Sequence, residues 1–436
     1  MKFEAILQLV VVTLSTASIR AFSHSHLRRT PFATRRCSRA TRLFEGSSED
    51  ETPQQQSERM ELVRQLQKSF YQNEEAIEAP KPHSTIIENL PLWRVQWVEL
   101  PGSQNVLNVH VPHYTNMFQK ILYSGGKRYF GHLYLPGGSE NLDNEDYALT
   151  EESQATLTGV LMEISDYKQM DDGRLTLIVQ AKEKFRVHEP IRSHSPYAIA
   201  HVEICPDEEF LARHDDEADA ISNVFEMHKY EYRTVKMEDC AVNGQISKGI
   251  AVSPLSNYDW KLCSSDFSAP TSSTIVKPLT SIDETEEFRL REIEYRVWVK
   301  LDQMIQLLQT AVGDKGSVPI PSQLLGLLPR NPYKAWPINF QLEIIASKLE
   351  LEGTMVGTYS SSPFVRVEDN KTYSQLRRAS RLSFVIWTLV DSIVIVEEEE
   401  GFSRQRILEL PSTTQRLRLA ESKLDVICAM LRKLLN

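Results

Sequence analysis

Residues 90–122 read LPLWRVQWVELPGSQNVLNVHVPHYTNMFQKIL, and the changes of period inside this stretch decide the fold. Trp93, Val95 and Trp97 alternate with Arg94 and Gln96, the period-2 pattern of a strand with one face buried. Pro101-Gly102 ends it. Leu107, Val109 and Val111 then share one face, with Asn108 and His110 on the other, until Pro112. From there Tyr114, Phe118, Ile121 and Leu122 fall at helical spacing. Strand, tight turn, strand and short helix is the local plan.

Further strands follow. Tyr129 to Leu135 lies between Gly125-Gly126 and Pro136-Gly137-Gly138. Leu157 to Ile164 and Arg174 to Val179 read as a hairpin across Met170-Asp171-Asp172-Gly173. Lys184 to Val187 and Tyr197 to Ile204 complete about six strands.

These residues resemble the Lon N-terminal domain family, the substrate-recognition module found in front of the ATPase of Lon proteases and also alone. The Leu90-Pro91-Leu92-Trp93 opening and the Pro101-Gly102 turn match it without a gap, and Pro112, Tyr114, Gly131, Gly159, Gly173 and Phe185 fall at its framework positions. His110-Val111-Pro112-His113-Tyr114 departs from the family's Phe-Glu-Pro-Arg-Tyr corner, so the charged pair of relatives is missing. The resemblance implies an α+β fold, a PUA-like twisted, barrel-like sheet over 86–206 followed by a helical domain over 283–436. A partly helical insert, 207–282, separates them. Within it Asp207 to Lys236 reads as helical, and Met237 to Ile282 is rich in Ser, Pro and Asn.

Ser281-x-x-Glu284 reads as a capping box, opening a helix whose apolar stripe is Phe288, Tyr295, Trp298, Leu301, Ile305 and Leu308. Five prolines between 319 and 337 impose an extended loop. Helices follow at 340–351 and 374–390. Beyond Pro411-Ser412, Leu417, Ala420, Leu424, Ile427, Leu431 and Leu434 form a seam for a neighbouring helix. Arg416-Leu417 matches the start of the family's last helix.

The first 44 residues read as a bipartite presequence. Lys2 and the apolar run Ile6 to Leu14 have the layout of a signal peptide, and 22–44 is rich in Arg, Ser and Thr without an acidic residue, the composition of a transit peptide. The pair resembles the presequences of algae with complex plastids, with Ala21-Phe22 as the cleavage junction. Plain secretion is the alternative, and it leaves the acid-free arginine run unexplained. A plastid stromal location is expected. Residues 45–85 read as a linker with a short helix near 61–71.

The chain has 436 residues, 41% hydrophobic and 25% charged, with a net charge of −10. Eight basic and one acidic residue lie in 1–44, so of the 49 basic and 59 acidic residues 41 and 58 remain beyond it, a net of −17. So acidic a surface repels phosphate backbones, and nucleic acid is not the expected partner. No apolar run reaches the ~18 residues that a membrane span needs. The five cysteines are widely spaced without a CxxC pair and read as free thiols, a Cys205–Cys240 or Cys240–Cys263 bridge being the alternative.

Signals for chemistry fail one by one. Gly125-Gly126-Lys127-Arg128 lacks the first glycine and the hydroxyl of a phosphate-binding loop. Gly137-Gly138-Ser139-Glu140-Asn141 lacks the closing glycine of a nucleophile elbow. His110, His113 and His132 have no metal-ligand spacing and read as structural. Glu397 to Glu400 reads as a solvated helix end. No catalytic residue, cofactor or metal is therefore expected, and neither the ATPase nor the serine-lysine protease of full-length Lon. The resemblance implies a module that selects or holds unfolded or specific protein clients, by apolar contact and strand-edge hydrogen bonding, with a separate ATP-dependent protease as a further expected partner. An RNA-processing or ribosome-associated factor using a PUA-like sheet is the alternative.

Overall fold

The computed structural model describes residues 85–170, 173–194, 196–212, 217–231, 241–242, 245–246, 284–312, 320, 322–355, 366–367, 373–390 and 404–435. The presequence with its Ala21-Phe22 junction, the 61–71 helix, Ser281, the 397–400 run and most of the 237–282 insert lie outside them.

The architecture is α+β. Six strands, β1 (Ile86–Val95), β2 (Gln104–Val109), β3 (Tyr129–Tyr134), β4 (Thr158–Gln169), β5 (Leu175–Arg192) and β6 (Ala198–Ile204), form one sheet. Its order is β2-β5-β4-β3-β1-β6, and a further β5–β6 pairing closes β1, β3, β4, β5 and β6 into a ring. The β1–β3 pair is parallel and the other pairs are antiparallel. Strand β5 is long enough to serve two neighbours on one side, β2 along Leu175–Gln180 and β6 from Phe185 onward. Ring closure removes strand edges, leaving β2 as the strand with a single strand neighbour. Among the described residues of this sheet, the strand edge left open is that of β2.

Helix α1 (Pro112–Tyr123) starts at Pro112, where the missing N–H costs nothing. It buries Tyr114, Phe118, Ile121 and Leu122, the face that the spacing predicts, together with Met117 and Gln119. Around Trp93 the rings of Phe118, Phe130 and Tyr114 meet edge to face, at centroid distances of 5.7, 6.1 and 6.3 Å.

One expectation of the β1 alternation fails. Arg94, read as facing solvent, is fully buried. Its Nη1 donates to the Ser193 carbonyl at 3.1 Å and its Nη2 to the Tyr147 carbonyl at 2.6 Å, because the 136–157 loop and the 193–197 turn cover the face that an open sheet would leave wet. Burial pushes the Arg94 pKa down to about 10, against a smaller upward pull from Tyr114.

Beyond the barrel come α2 (Glu208–Leu211), α3 (Glu217–Glu231) and a small ribbon, β7 (Ala241–Val242) with β8 (Gln245–Ile246). The helical part comprises α4 (Glu284–Val312), α5 (Ser322–Gly326), α6 (Gln341–Met355), α7 (Gln375–Val390), α8 (Arg404–Glu409) and α9 (Thr413–Leu435). The α9 seam residues are buried except Leu434, which is half-exposed. The α4 stripe is displaced from the one read in the sequence. Trp298, Leu301, Ile305 and Leu308 are buried as expected, but the N-terminal part of that face is Leu290, Ile293 and Val297. Phe288 is 52% exposed and Tyr295 half-buried, because the 329–340 loop draws both rings to the side of the helix.

Candidate recognition surface

The residues that carry the family resemblance belong to the framework. Leu90, Pro91 and Leu92 are buried in β1, and the Tyr114 hydroxyl donates to the Arg94 carbonyl at 2.7 Å. Leu92, Gly131, Gly159 and Phe185 form one contact group across four strands. A Cβ on Gly131 would lie 2.4 Å from Leu92 Cδ2 and 2.8 Å from Phe185 Cζ, and one on Gly159 would lie 2.5 Å from the His132 carbonyl oxygen and 2.7 Å from Phe185 Cζ. The Phe185 ring thus occupies the room that both glycines leave. Pro101 is buried, and Gly102, at φ +94°, turns the chain against α7, where an added Cβ would meet Val385 Cγ2 at 3.1 Å. Gly173 closes the β4–β5 turn, its N–H donating to the Met170 carbonyl at 3.0 Å.

Charge joins barrel to helices. Glu183 of β5 accepts from Arg377 and Arg381 of α7 and lies 2.6 Å from His228 Nε2 of α3, all four side chains being buried. Burial alone would raise the Glu183 pKa, but Arg377, Arg381 and His228 outweigh it and hold the carboxyl well below the usual range. Beside it Asp207 pairs with Lys184 at 3.0 Å and Arg416 at 2.5 Å and accepts from Ser380 and Thr413. Its pKa is depressed in the same way, Arg416 and Lys184 overcoming burial. A pocket at this junction is lined by Glu183, Lys184, Asp207, Arg377, Ser380 and Thr413 among others, so its polar chemistry is already engaged. Glu209 of α2 caps α9, accepting from the N–H groups of Thr413 and Thr414 at 3.0 and 2.9 Å.

A second cleft opens to solvent between α4, the 329–340 loop and the start of α7. The loop is braced from below. Trp336 is stacked between Tyr295 and Phe340, at centroid distances of 5.2 and 4.2 Å and interplanar angles of 9° and 3°. Tyr295 Oη donates to the Ala335 carbonyl at 3.0 Å, and Gln306 Nε2 to the Asn339 carbonyl at 2.9 Å. Tyr333 of the loop meets Phe288 of α4 edge to face at 4.8 Å, and Ile338, farther along the loop, is 96% exposed. Phe288 on α4 and Ile338 on the loop are thus large apolar side chains held out in water.

His132 is buried, with Nε2 2.9 Å from the Trp97 carbonyl oxygen, while His110 is exposed and His113 half-buried. Among the described residues no three His, Cys, Asp or Glu side chains converge on a metal position, and no helix is long and apolar enough to cross a membrane. Gly138 to Asn141 form a 3₁₀ turn. Cys205 and Cys428 are free thiols whose pKa values burial pushes up; Cys240 and Cys263, and with them the two alternative bridges, lie outside the described residues.

A family model described as the ATP-dependent protease La (LON) substrate-binding domain matches residues 89–315, just over half of the chain. The chain belongs to the LON substrate-binding domain family. Solved structures similar to it include the Lon N-terminal domain protein from Xanthomonas campestris, at 23% identity over 27% of this chain and 60% of that one, with a TM-score of 0.22. The N-terminal domain of a Mycobacterium avium complex Lon protease matches at 12% identity over 33% of this chain and 63% of that one, with a TM-score of 0.20. The chain thus spans about three-fifths of the length of each. No curated protein matches it. The substrate-binding family match takes in α4 but ends before the 329–340 loop, so the cleft combines family and non-family elements. Sequence periodicity placed Phe288 in the core and gave Trp336 no role; the aromatic clustering of Tyr333, Trp336 and Phe340 was the available signal.

Proposed function

We propose that this protein is a non-catalytic recognition module that selects or holds protein clients, docking their exposed apolar segments on Phe288, Tyr333 and Ile338. The braced loop carries the reading, since it presents apolar side chains in a chain whose family is named for substrate binding. Preorganisation matters energetically, because a surface already held in place forfeits little ordering entropy when a client docks. Delivery of clients to a separate ATP-dependent protease, and a plastid stromal location reached through the 1–44 presequence, complete the proposal.

Affinity capture of the tagged chain after mild crosslinking tests it, with protein and RNA analysed from the same sample. Enrichment of unstable proteins or protease subunits over background RNA supports the module. Specific RNA without a protein client would overturn it in favour of an RNA-associated role. A fluorescent fusion of residues 1–44 tests the address separately, secretion being the contrary outcome.

A further inference from the structure

We propose that Asp302 is a proton-operated brace on the recognition loop: ionised, it holds the 329–340 loop through Gln306, and protonated it releases that hold, so that client binding weakens in mild acid. The inference rests on the protein-binding reading above and adds a regulation that this reading lacks.

Asp302 lies on α4 with its side chain buried. Its Oδ1 accepts the Leu342 N–H of α6 at 2.9 Å, and its Oδ2 accepts Gln306 Nε2 at 2.6 Å. The same Nε2 donates to the Asn339 carbonyl at 2.9 Å. Asn339 directly follows the exposed Ile338. One amide nitrogen thus ties the loop to the carboxylate.

While Asp302 is ionised, Gln306 has one workable orientation, because both of its partners only accept. A proton on Asp302 changes that. Oδ1 faces a backbone N–H, so the proton sits on Oδ2, which becomes a donor. One amide atom would then have to accept from the acid and donate to the carbonyl, and no atom of the amide does both. If Gln306 turns its Oε1 to the acid, the Asn339 carbonyl loses its donor. If it does not, donor faces donor and Gln306 loses its anchor on α4.

Charged groups on the surrounding elements are engaged elsewhere. Arg296 and Lys300 of α4 pair with Glu421 and Asp425 of α9, Glu294 of α4 with Arg378 of α7, and Glu343 of α6 with Arg366, while Lys334 of the loop lies over the Tyr333 ring. Burial raises the Asp302 pKa to about 6, against smaller downward pulls from Leu342, Gln306 and Gln341, so the release falls between about pH 7 and pH 5.

Two measurements on the full chain, at about pH 7.5 and pH 5.5, decide the matter. Hydrogen exchange over 329–340, corrected for the intrinsic effect of pH, reads the brace without a client, and protection should fall about fivefold in acid. Fluorescence anisotropy with a labelled, permanently unfolded protein reads the consequence, and affinity should fall by a similar factor. Asp302→Asn should be loose and weakly binding at both pH values, because the Leu342 N–H claims its oxygen and leaves a donor facing Gln306. Gln306→Met should be equally loose and equally insensitive to pH, while its unfolding free energy keeps the pH slope of Asp302. Loop exchange or client binding that ignores pH in the parent protein, or pH sensitivity that persists in Gln306→Met, overturns the inference and leaves protein recognition standing. A pH-sensitive loop that binds no unfolded protein at either pH refutes the protein-binding reading instead, and with it the effect on clients.

Discussion

Arg381 Nη2 lies 2.6 Å from Glu183 Oε1, although 198 residues separate them in the sequence. Arg377 donates to the same oxygen and His228 approaches it. One carboxylate on the barrel thus gathers three side chains from two helices. Helix α7 is buried along its described length, and its arginines, each matched to an acid, fix how the helical part sits on the barrel. Pairing of this kind selects an arrangement more than it adds net stability.

Replacing Glu183 by Gln should destabilise the fold by about 3–5 kcal/mol, because two buried guanidinium groups lose their counter-charge. Urea denaturation measures this. Arg186→Gln, which removes an exposed pair with Glu151, should stay within about 0.5 kcal/mol of the parent protein.

Acid should dissolve the same junction. Glu183 and Asp207 have folded pKa values held below their ordinary 4.5 and 3.8. The folded state therefore binds fewer protons than the unfolded chain, and the stabilisation is complete above about pH 5 and lost progressively as pH falls through 4 and below. Denaturation midpoints across pH 3–7 should decline at the acid end, and less steeply in Asp207→Asn.

Asp302 acts with the opposite sign. It bridges α4 to the start of α6 by accepting the Leu342 N–H at 2.9 Å, yet no cation pairs with it among the described residues, and burial raises its pKa to about 6. The folded state then holds a proton that the unfolded chain releases, so stability falls as pH rises from about 4 to 6 and is flat above, a loss of about 3 kcal/mol. Asp302→Asn should abolish that slope. The measurement is unfolding free energy at pH 4 and pH 8 for both proteins.

Gly159→Ala should cost about 2–3 kcal/mol, since the new methyl meets the His132 carbonyl, which belongs to the neighbouring strand and cannot step aside. Combining it with Phe185→Leu should give less than the sum of the two single losses, because one ring fills both spaces. A double-mutant cycle by thermal unfolding tests the coupling.

Much of this fold was legible locally. The 90–122 stretch announced β1, β2 and α1 by its changes of period, and the seam of α9 by its spacing. Ring closure was expected from the family resemblance and not from the local pattern, because the parallel β1–β3 pairing and the meeting of β5 with β6 join segments that carry no local sign of each other. Arg94 misled for the same reason: alternation reports an average face, and the carbonyls of Tyr147 and Ser193, 53 and 99 residues away, reversed it. Phe288 was read into the core because an apolar side chain at helical spacing does not reveal whether a distant loop will pull it aside. The cleft followed from that error, with Phe288 assigned to the core and Trp336 to a featureless proline loop.

Titrating a permanently unfolded, fluorescently labelled protein into the full chain tests protein recognition most directly. The expected result is saturable binding of the unfolded form, none of the native form, and affinity weakened roughly tenfold in Phe288→Ser/Ile338→Ser. Binding that ignores the folding state of the ligand, or that survives both substitutions unchanged, would contradict recognition at this surface.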